Sequence, residues 1–170
     1  MAKRKARKTA PNAGRPQRSH ALLAGLVLVV VGVATFGNNL DGPFVFDDTL
    51  AIERNESIRR LWPITDVLVA PAGSSSAGRP VGNLTLAINY AIGEYEVGGY
   101  HVVNIGVHIL CALVLFGVVR RTLLLEALRE RFGAASSALA LACALLWMVH
   151  PIQTECVNYL TQRYESLMGL

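Results

Sequence analysis

Three long apolar runs constrain what this chain can fold into more than any other feature. They are ALLAGLVLVVVGVATFG (Ala21–Gly37), HVVNIGVHILCALVLFGVV (His101–Val119) and AASSALALACALLWMVH (Ala134–His150). A helix needs roughly 17–25 residues to cross a bilayer, and backbone in lipid must satisfy its hydrogen bonds within its own segment. Each run is therefore read as a transmembrane helix. Composition agrees, since 52% of the residues are hydrophobic and only 16% charged, with a mean hydropathy of +0.39. That is too apolar for an ordinary water-soluble domain. A cleaved secretory signal, cut near Gly32–Ala34, is the competing reading of the first run; the length of the run favours a retained span.

Charge sets the direction of crossing. Residues 1–20 carry Lys3, Arg4, Lys5, Arg7, Lys8, Arg15 and Arg18 with no acid, and the linker 120–133 adds Arg120, Arg121, Arg129 and Arg131. Positive residues collect in cytoplasmic segments. The arm (1–20) and the linker (120–133) are then both inside, and spans at 21–37, 101–119 and 134–150 alternate without contradiction. Residues 38–100 form a large extracytoplasmic loop with eight acids against four arginines, and 151–170 return to that side. The apolar turn of the final YESLMGL reads as the start of a fourth span in a chain that continues. The basic arm suits anionic lipid, not nucleic acid, because no aromatic platform or nucleic-acid module accompanies it.

The fold expected is an all-α integral membrane protein of three transmembrane helices plus the start of a fourth, its first loop holding amphipathic interfacial helices. Such a protein sits in a bacterial inner membrane or the endoplasmic reticulum with its N-terminus cytoplasmic. In the loop, NLTLAINYAIGEY spaces Leu84, Ala87, Ile88, Ala91, Ile92 and Tyr95 along one helical face, with Thr85, Asn89 and Glu96 on the other. This predicts a helix lying on the membrane surface or packed on other loop helices. APAGSSSAG (Ala70–Gly78) reads as flexible, and Asn55 and Asn83 head glycosylation triplets. The three cysteines, Cys111, Cys143 and Cys156, lack paired spacing and read as packing residues.

Polar residues in apolar surroundings supply the candidate chemistry. His101, Asn104 and His108 share one face of the second span, where such groups turn toward a bundle interior or a cavity. After the third span comes HPIQTE, with Pro151 at a helix start and Glu155, Asn158 and Gln162 spaced to share a face. His150 with Glu155 offers two ligands, too few for a metal site. The stretch DGPFVFDDTL sets Asp47 and Asp48 side by side on an extended segment, so they point opposite ways and divide two tasks. One carboxylate can face a cavity while its neighbour holds the loop. By composition alone, a solvated loop-capping pair explains them better.

Three stretches then occur in order: FVFDDTLAIERNESIRRLWP, GRPVGNLTLAINYAIGEYEVGGYHVVNIGVHIL and LLWMVHPIQTECVNYLTQRYESL. Together they resemble the N-terminal membrane part of the transmembrane and tetratricopeptide-repeat O-mannosyltransferase-like family, within the GT-C class of glycosyltransferases. The resemblance runs from Phe44 to Leu170. It implies an enzyme that moves a sugar, by preference mannose, from a polyprenyl-phosphate donor to a hydroxyl acceptor on protein, lipid or glycan. It assigns acid/base work to Asp47 and Asp48 and donor-phosphate binding to Arg79 and Arg163. Acceptor-binding or supporting roles fall on His150, Glu155, Glu165, Asn104 and His108. No cofactor is required outright, and a divalent metal is left open. Tyr164 and Glu165 stand where the family pattern has Ala-Asp, so the role of Glu165 is the least secure. With about three and a half spans and no tetratricopeptide repeats, the chain is expected to be an inactive fragment of a polytopic enzyme. Its rival is a non-catalytic membrane scaffold that keeps the helices.

Overall fold

The computed structural model describes residues 15–170, with side chains from Ser19 onward. Lys3, Arg4, Lys5, Arg7 and Lys8 of the basic arm lie outside the described residues. Eight helices follow in order: α1 (Arg15–Phe36), α2 (Ile64–Val67), α3 (Pro80–Gly93), α4 (Val97–Leu123), α5 (Glu126–Phe132), α6 (Ser136–Met148), α7 (Gln153–Asn158) and α8 (Arg163–Met168). No strand occurs among the described residues.

Helices α1, α4 and α6 form an up-down-up bundle in which each touches the other two. Among the described residues, three segments are long and apolar enough to cross a membrane, namely Ser19–Asn39, Val97–Leu123 and Glu126–Met148. At 1.5 Å per residue, the 27 residues of α4 extend about 40 Å, against a hydrocarbon core of about 30 Å. This span is longer than the expected 101–119 because Val97–Tyr100 and Arg120–Leu123 keep helical geometry beyond the apolar run. The third segment begins earlier than Ala134, where a 3₁₀ turn at Gly133–Ala135 joins α5 to α6.

Small residues hold the bundle. Ala24, Leu28, Ala112, Ala140, Ala144 and Met148 are buried together, which permits the close approach that membrane helices rely on. A Cβ on Gly32 would run into the Ile109 side chain. The outer faces of α1 (Leu22, Leu23, Leu26, Val30, Val33) are exposed, as lipid-facing residues must be. Cys111 is buried and Cys156 half-buried, but Cys143 is exposed, so it does not pack.

A second core sits at one end of the bundle. Residues of the first loop (Ala51, Ile52, Ile58, Val67, Leu86, Ala87) close over Tyr100, Leu160 and Tyr164. Phe36, Ile105, Ile109 and Val157 join this core to the bundle. The Gly/Ser stretch does not behave as a flexible linker. Ser74, Ala77 and Arg79 each donate N–H groups back three residues in successive turns, and buried Ser76 hydrogen-bonds the Tyr164 hydroxyl. Turn bonding and one buried anchor outweigh the entropy of glycine there.

Asn55 and Asn83 are fully buried. Asn55 Nδ2 donates to Asn83 Oδ1 at 2.9 Å and to the Ala51 carbonyl at 2.9 Å. Asn83 Nδ2 in turn donates to the Val67 carbonyl at 2.6 Å. Both triplets are thus structural, and neither amide nitrogen is open to a glycan in the folded chain.

Candidate active site

The two aspartates are divided by burial. Asp48 is fully enclosed. Its Oδ2 accepts the Val45 N–H at 3.0 Å and its Oδ1 the Thr161 N–H at 3.0 Å. Burial pushes its pKa above the ordinary carboxylate value, and the two amide donors hold the rise down. Asp48 therefore staples the first loop to the segment after α7. Asp47 is exposed. Its carboxylate makes no hydrogen bond or ion pair among the described residues, while its backbone N–H donates to the Tyr159 hydroxyl at 3.0 Å. Phe46, at φ 47°, meets the Tyr159 ring edge-on at 6.4 Å. A non-glycine residue in the left-handed region is a strained turn held by its surroundings, and this turn sends the two aspartates different ways.

Arg163 is the largest fully buried side chain. Its Nε donates to Asn104 Oδ1 at 2.8 Å, and Nη1 to Asn89 Oδ1 at 2.7 Å and to Thr85 Oγ1 at 3.4 Å. Nη2 donates to the Tyr100 carbonyl at 3.1 Å. Burial lowers its pKa to about 10, so it stays charged at neutral pH. The guanidinium is thus spent on protein acceptors and presents nothing to a ligand. Asn104 completes the joint by donating to the Val157 carbonyl at 3.2 Å and the Leu160 carbonyl at 3.3 Å.

This geometry divides the apolar face of the amphipathic helix and buries part of its polar one. Ala87 joins the loop core and Ile88, Ala91 and Ile92 are exposed, while Thr85 and Asn89, read as the polar face, point inward to Arg163. A buried cation outranks apolar periodicity, because an unpaired charge inside costs far more than an exposed isoleucine. The exposed stripe then suits a lipid surface.

Of the two arginines expected to bind phosphate, Arg79, just ahead of α3, is the accessible one. Its Nη2 lies 3.3 Å from Glu165 Oε1, with both side chains about 40% exposed (41% and 42%), and its guanidinium sits 5.3 Å from the Tyr164 ring centroid. Helix α8 separates two cavities. One of about 330 Å³ is bounded by Arg79, Pro80, Gly82 and Tyr164. The other, of about 380 Å³, runs along apolar Val114, Leu115 and Val118 of α4 toward Gln153 and Glu165. A Cβ on Gly82 would enter the Tyr164 ring, so α3 and α8 meet there through glycine alone.

The remaining candidates lie elsewhere. His108 is buried within the bundle, its Nε2 donating to the Met148 carbonyl at 3.0 Å and its ring stacked on Trp147 at 4.9 Å. It ties α4 to the end of α6, and its ring meets Phe36 edge-on at 5.2 Å. His101 Nε2 donates to the Gly42 carbonyl at 3.1 Å. His150 is exposed, its Nδ1 accepting the Ile152 N–H at 3.3 Å; Glu155 is exposed on α7 and shares no hydrogen bond with it. Gln162 does not join the Glu155 face, because Tyr159 is extended and breaks the helix. No cluster of three His, Cys, Asp or Glu fit to hold a metal ion occurs among the described residues.

Sequence reasoning missed what organises these parts, the segment Tyr159–Glu165. Tyr159 holds the Asp47 backbone, Thr161 holds Asp48, and Arg163 holds α3 and α4. Tyr164 shares a hydrogen bond with Ser76, and Glu165 pairs with Arg79. The visible signal was a run of hydrogen-bonding side chains, YLTQRYE, one short helix after a span.

No family model matches the chain, and no solved structure matches it. Curated proteins do. A Caenorhabditis elegans protein O-mannosyl-transferase is 31% identical over 161 residues, covering 90% of this chain and 22% of the relative. Human protein O-mannosyl-transferase TMTC4 is 34% identical over 159 residues, covering 86% and 21% respectively. Drosophila melanogaster protein O-mannosyl-transferase Tmtc1 is 32% identical over 166 residues, covering 90% and 18%. The chain spans about a fifth of the length of the curated relatives it matches, and over nearly all of its own length it is a relative of the TMTC family of proteins named O-mannosyl-transferases.

Proposed function

We propose that the chain forms part of a membrane glycosyltransferase that moves mannose from a polyprenyl-phosphate donor to a protein hydroxyl. The observation that carries this reading is the division of labour in the aspartate pair. Asp48 is saturated by two amides, which leaves Asp47 as a partnerless carboxylate on a rigid turn. In the proposed reaction Asp47 takes the proton of the acceptor hydroxyl as its oxygen attacks the anomeric carbon. The bond from that carbon to the phosphate oxygen breaks, and polyprenyl phosphate leaves with the electron pair. Arg79 is the accessible arginine suited to the phosphate, exchanging the Glu165 carboxylate for it. The apolar groove along α4, which opens toward Glu165, suits the isoprenoid chain. Arg163 acts in this scheme by position, fixing the segment that carries both ends of the site.

The loop and the segment after α6 face away from the cytoplasm in this proposal, as the arginine-rich linker at the other end of the bundle indicates. The test is transfer of labelled mannose from a polyprenyl phosphate to a Ser/Thr peptide by the intact gene product in membranes. Asp47→Asn should lose at least about 100-fold in rate, the lower range for a general base, while keeping wild-type thermal stability. Undiminished transfer by a folded Asp47→Asn protein would leave the scaffold reading in its place.

A further inference from the structure

The first loop carries an apolar patch that neither core absorbs. Between Leu61 and Val69, five large hydrophobic side chains are exposed: Leu61, Trp62 (79%), Ile64, Leu68 and Val69 (72%). Only Val67 turns inward, where it joins the loop core. Single exposed apolar residues are ordinary, but five within nine residues make a patch.

The position of this patch is fixed by Arg59. Its guanidinium lies 4.3 Å from the Tyr90 ring centroid and 4.7 Å from that of Tyr95. Its Nη2 also donates to the Glu53 carbonyl at 2.6 Å. Tyr95 is two residues before Val97, where α4 begins. Because α4 exceeds the hydrocarbon thickness and ends in Arg120 and Arg121, its first turn falls at headgroup level. Arg59 is therefore clamped beside the point where the chain enters the bilayer. Trp62 is three residues on, within about 10 Å of chain reach. Ile88 and Ile92 of α3 are exposed as well.

We propose that Leu61–Val69 is a membrane-surface anchor, with Trp62 among the lipid headgroups and Leu61, Ile64, Leu68 and Val69 at the acyl boundary. Tryptophan is the side chain that favours this depth, having an apolar ring and one N–H to satisfy. Within 61–69 the single charge is Asp66; of the two arginines just before it, Arg59 is engaged by Tyr90 and Tyr95 and Arg60 is exposed, so attachment rests on apolar contact and needs no anionic lipid. The anchor would hold the loop at a fixed height above the bilayer, independently of any catalytic role.

The chain has two tryptophans, Trp62 and Trp147, which makes the test direct. Trp147→Phe, reconstituted in phosphatidylcholine vesicles, leaves Trp62 as the sole emitter. Its fluorescence should shift to the blue, resist aqueous acrylamide, and be quenched more by lipids brominated near the headgroup than by those brominated near the chain end. Should Trp147→Phe fail to reconstitute, the difference between the wild-type chain and Trp62→Ala reports the same residue. Full access to acrylamide without bromolipid quenching would overturn the proposal. So would shielding from both quenchers, which would place a protein surface over the patch instead.

Discussion

Both carboxylate oxygens of Asp48 accept backbone N–H groups, so an asparagine there would turn one acceptor into a donor that faces a donor. Burial also raises its pKa, which means the folded chain binds that proton more tightly than the unfolded chain does. Between the ordinary carboxylate value and the raised one, stability therefore falls as pH rises. Asp48→Asn should remove that slope while lowering stability throughout by about 1–3 kcal/mol. Denaturant titrations in detergent at several acidic pH values check both effects. Tyr159→Phe is subtler. It deletes the acceptor for the Asp47 amide, so that N–H should exchange with solvent roughly threefold to tenfold faster, the equivalent of one ordinary hydrogen bond. That the two aspartates point apart was legible in FVFDD, though not through the extended segment expected there, because the chain turns at Phe46 and Asp48 has helical backbone. Which of them is buried was not, because the deciding amide belongs to Thr161, 113 residues away.

At the scale of elements, the spans were readable because hydropathy adds up along a continuous stretch and needs no knowledge of neighbours. Helix α3 was readable as a helix with an apolar stripe, but the burial of its polar side was not. Its inner face was chosen by Arg163, a residue that no periodicity within Pro80–Gly93 reveals. The Asn55 and Asn83 triplets misled for the same reason, since a short motif says nothing of a partner 28 residues distant. Asn83→Ala would leave one of the two Nδ2 hydrogens of Asn55 without its acceptor and the Val67 carbonyl without the Asn83 donor, and should destabilise the loop core by about 1–3 kcal/mol. Translated in microsomes, the wild-type chain should show no glycosidase-sensitive shift at either site. A shift that appears with Asn83→Ala would be carried by Asn55, newly exposed.

Across the whole molecule, two cores of different kinds are joined by few side chains. The bundle is held by small apolar residues in contact, and the loop core by a buried cation with neutral acceptors drawn from α3 and α4. Arg163→Met should cost on the order of 3 kcal/mol, since it removes several charge-assisted hydrogen bonds at once. The loss should fall on the loop and not on the spans. Limited proteolysis would then cut within 38–96 while helix content in the bundle persists.

The segment Tyr159–Glu165 also limits how this protein can change. Each of its attachments depends on which way a particular position points, and Thr161, Arg163 and Glu165 reach three different structures from alternate positions. A substitution at one position disturbs one attachment. An added or deleted residue would rotate every later side chain, taking Arg163 out of its cage and Glu165 away from Arg79 together. Tolerance at this site is therefore set by length more than by identity, and insertions scanned through 159–165 should be rejected where most single replacements are borne.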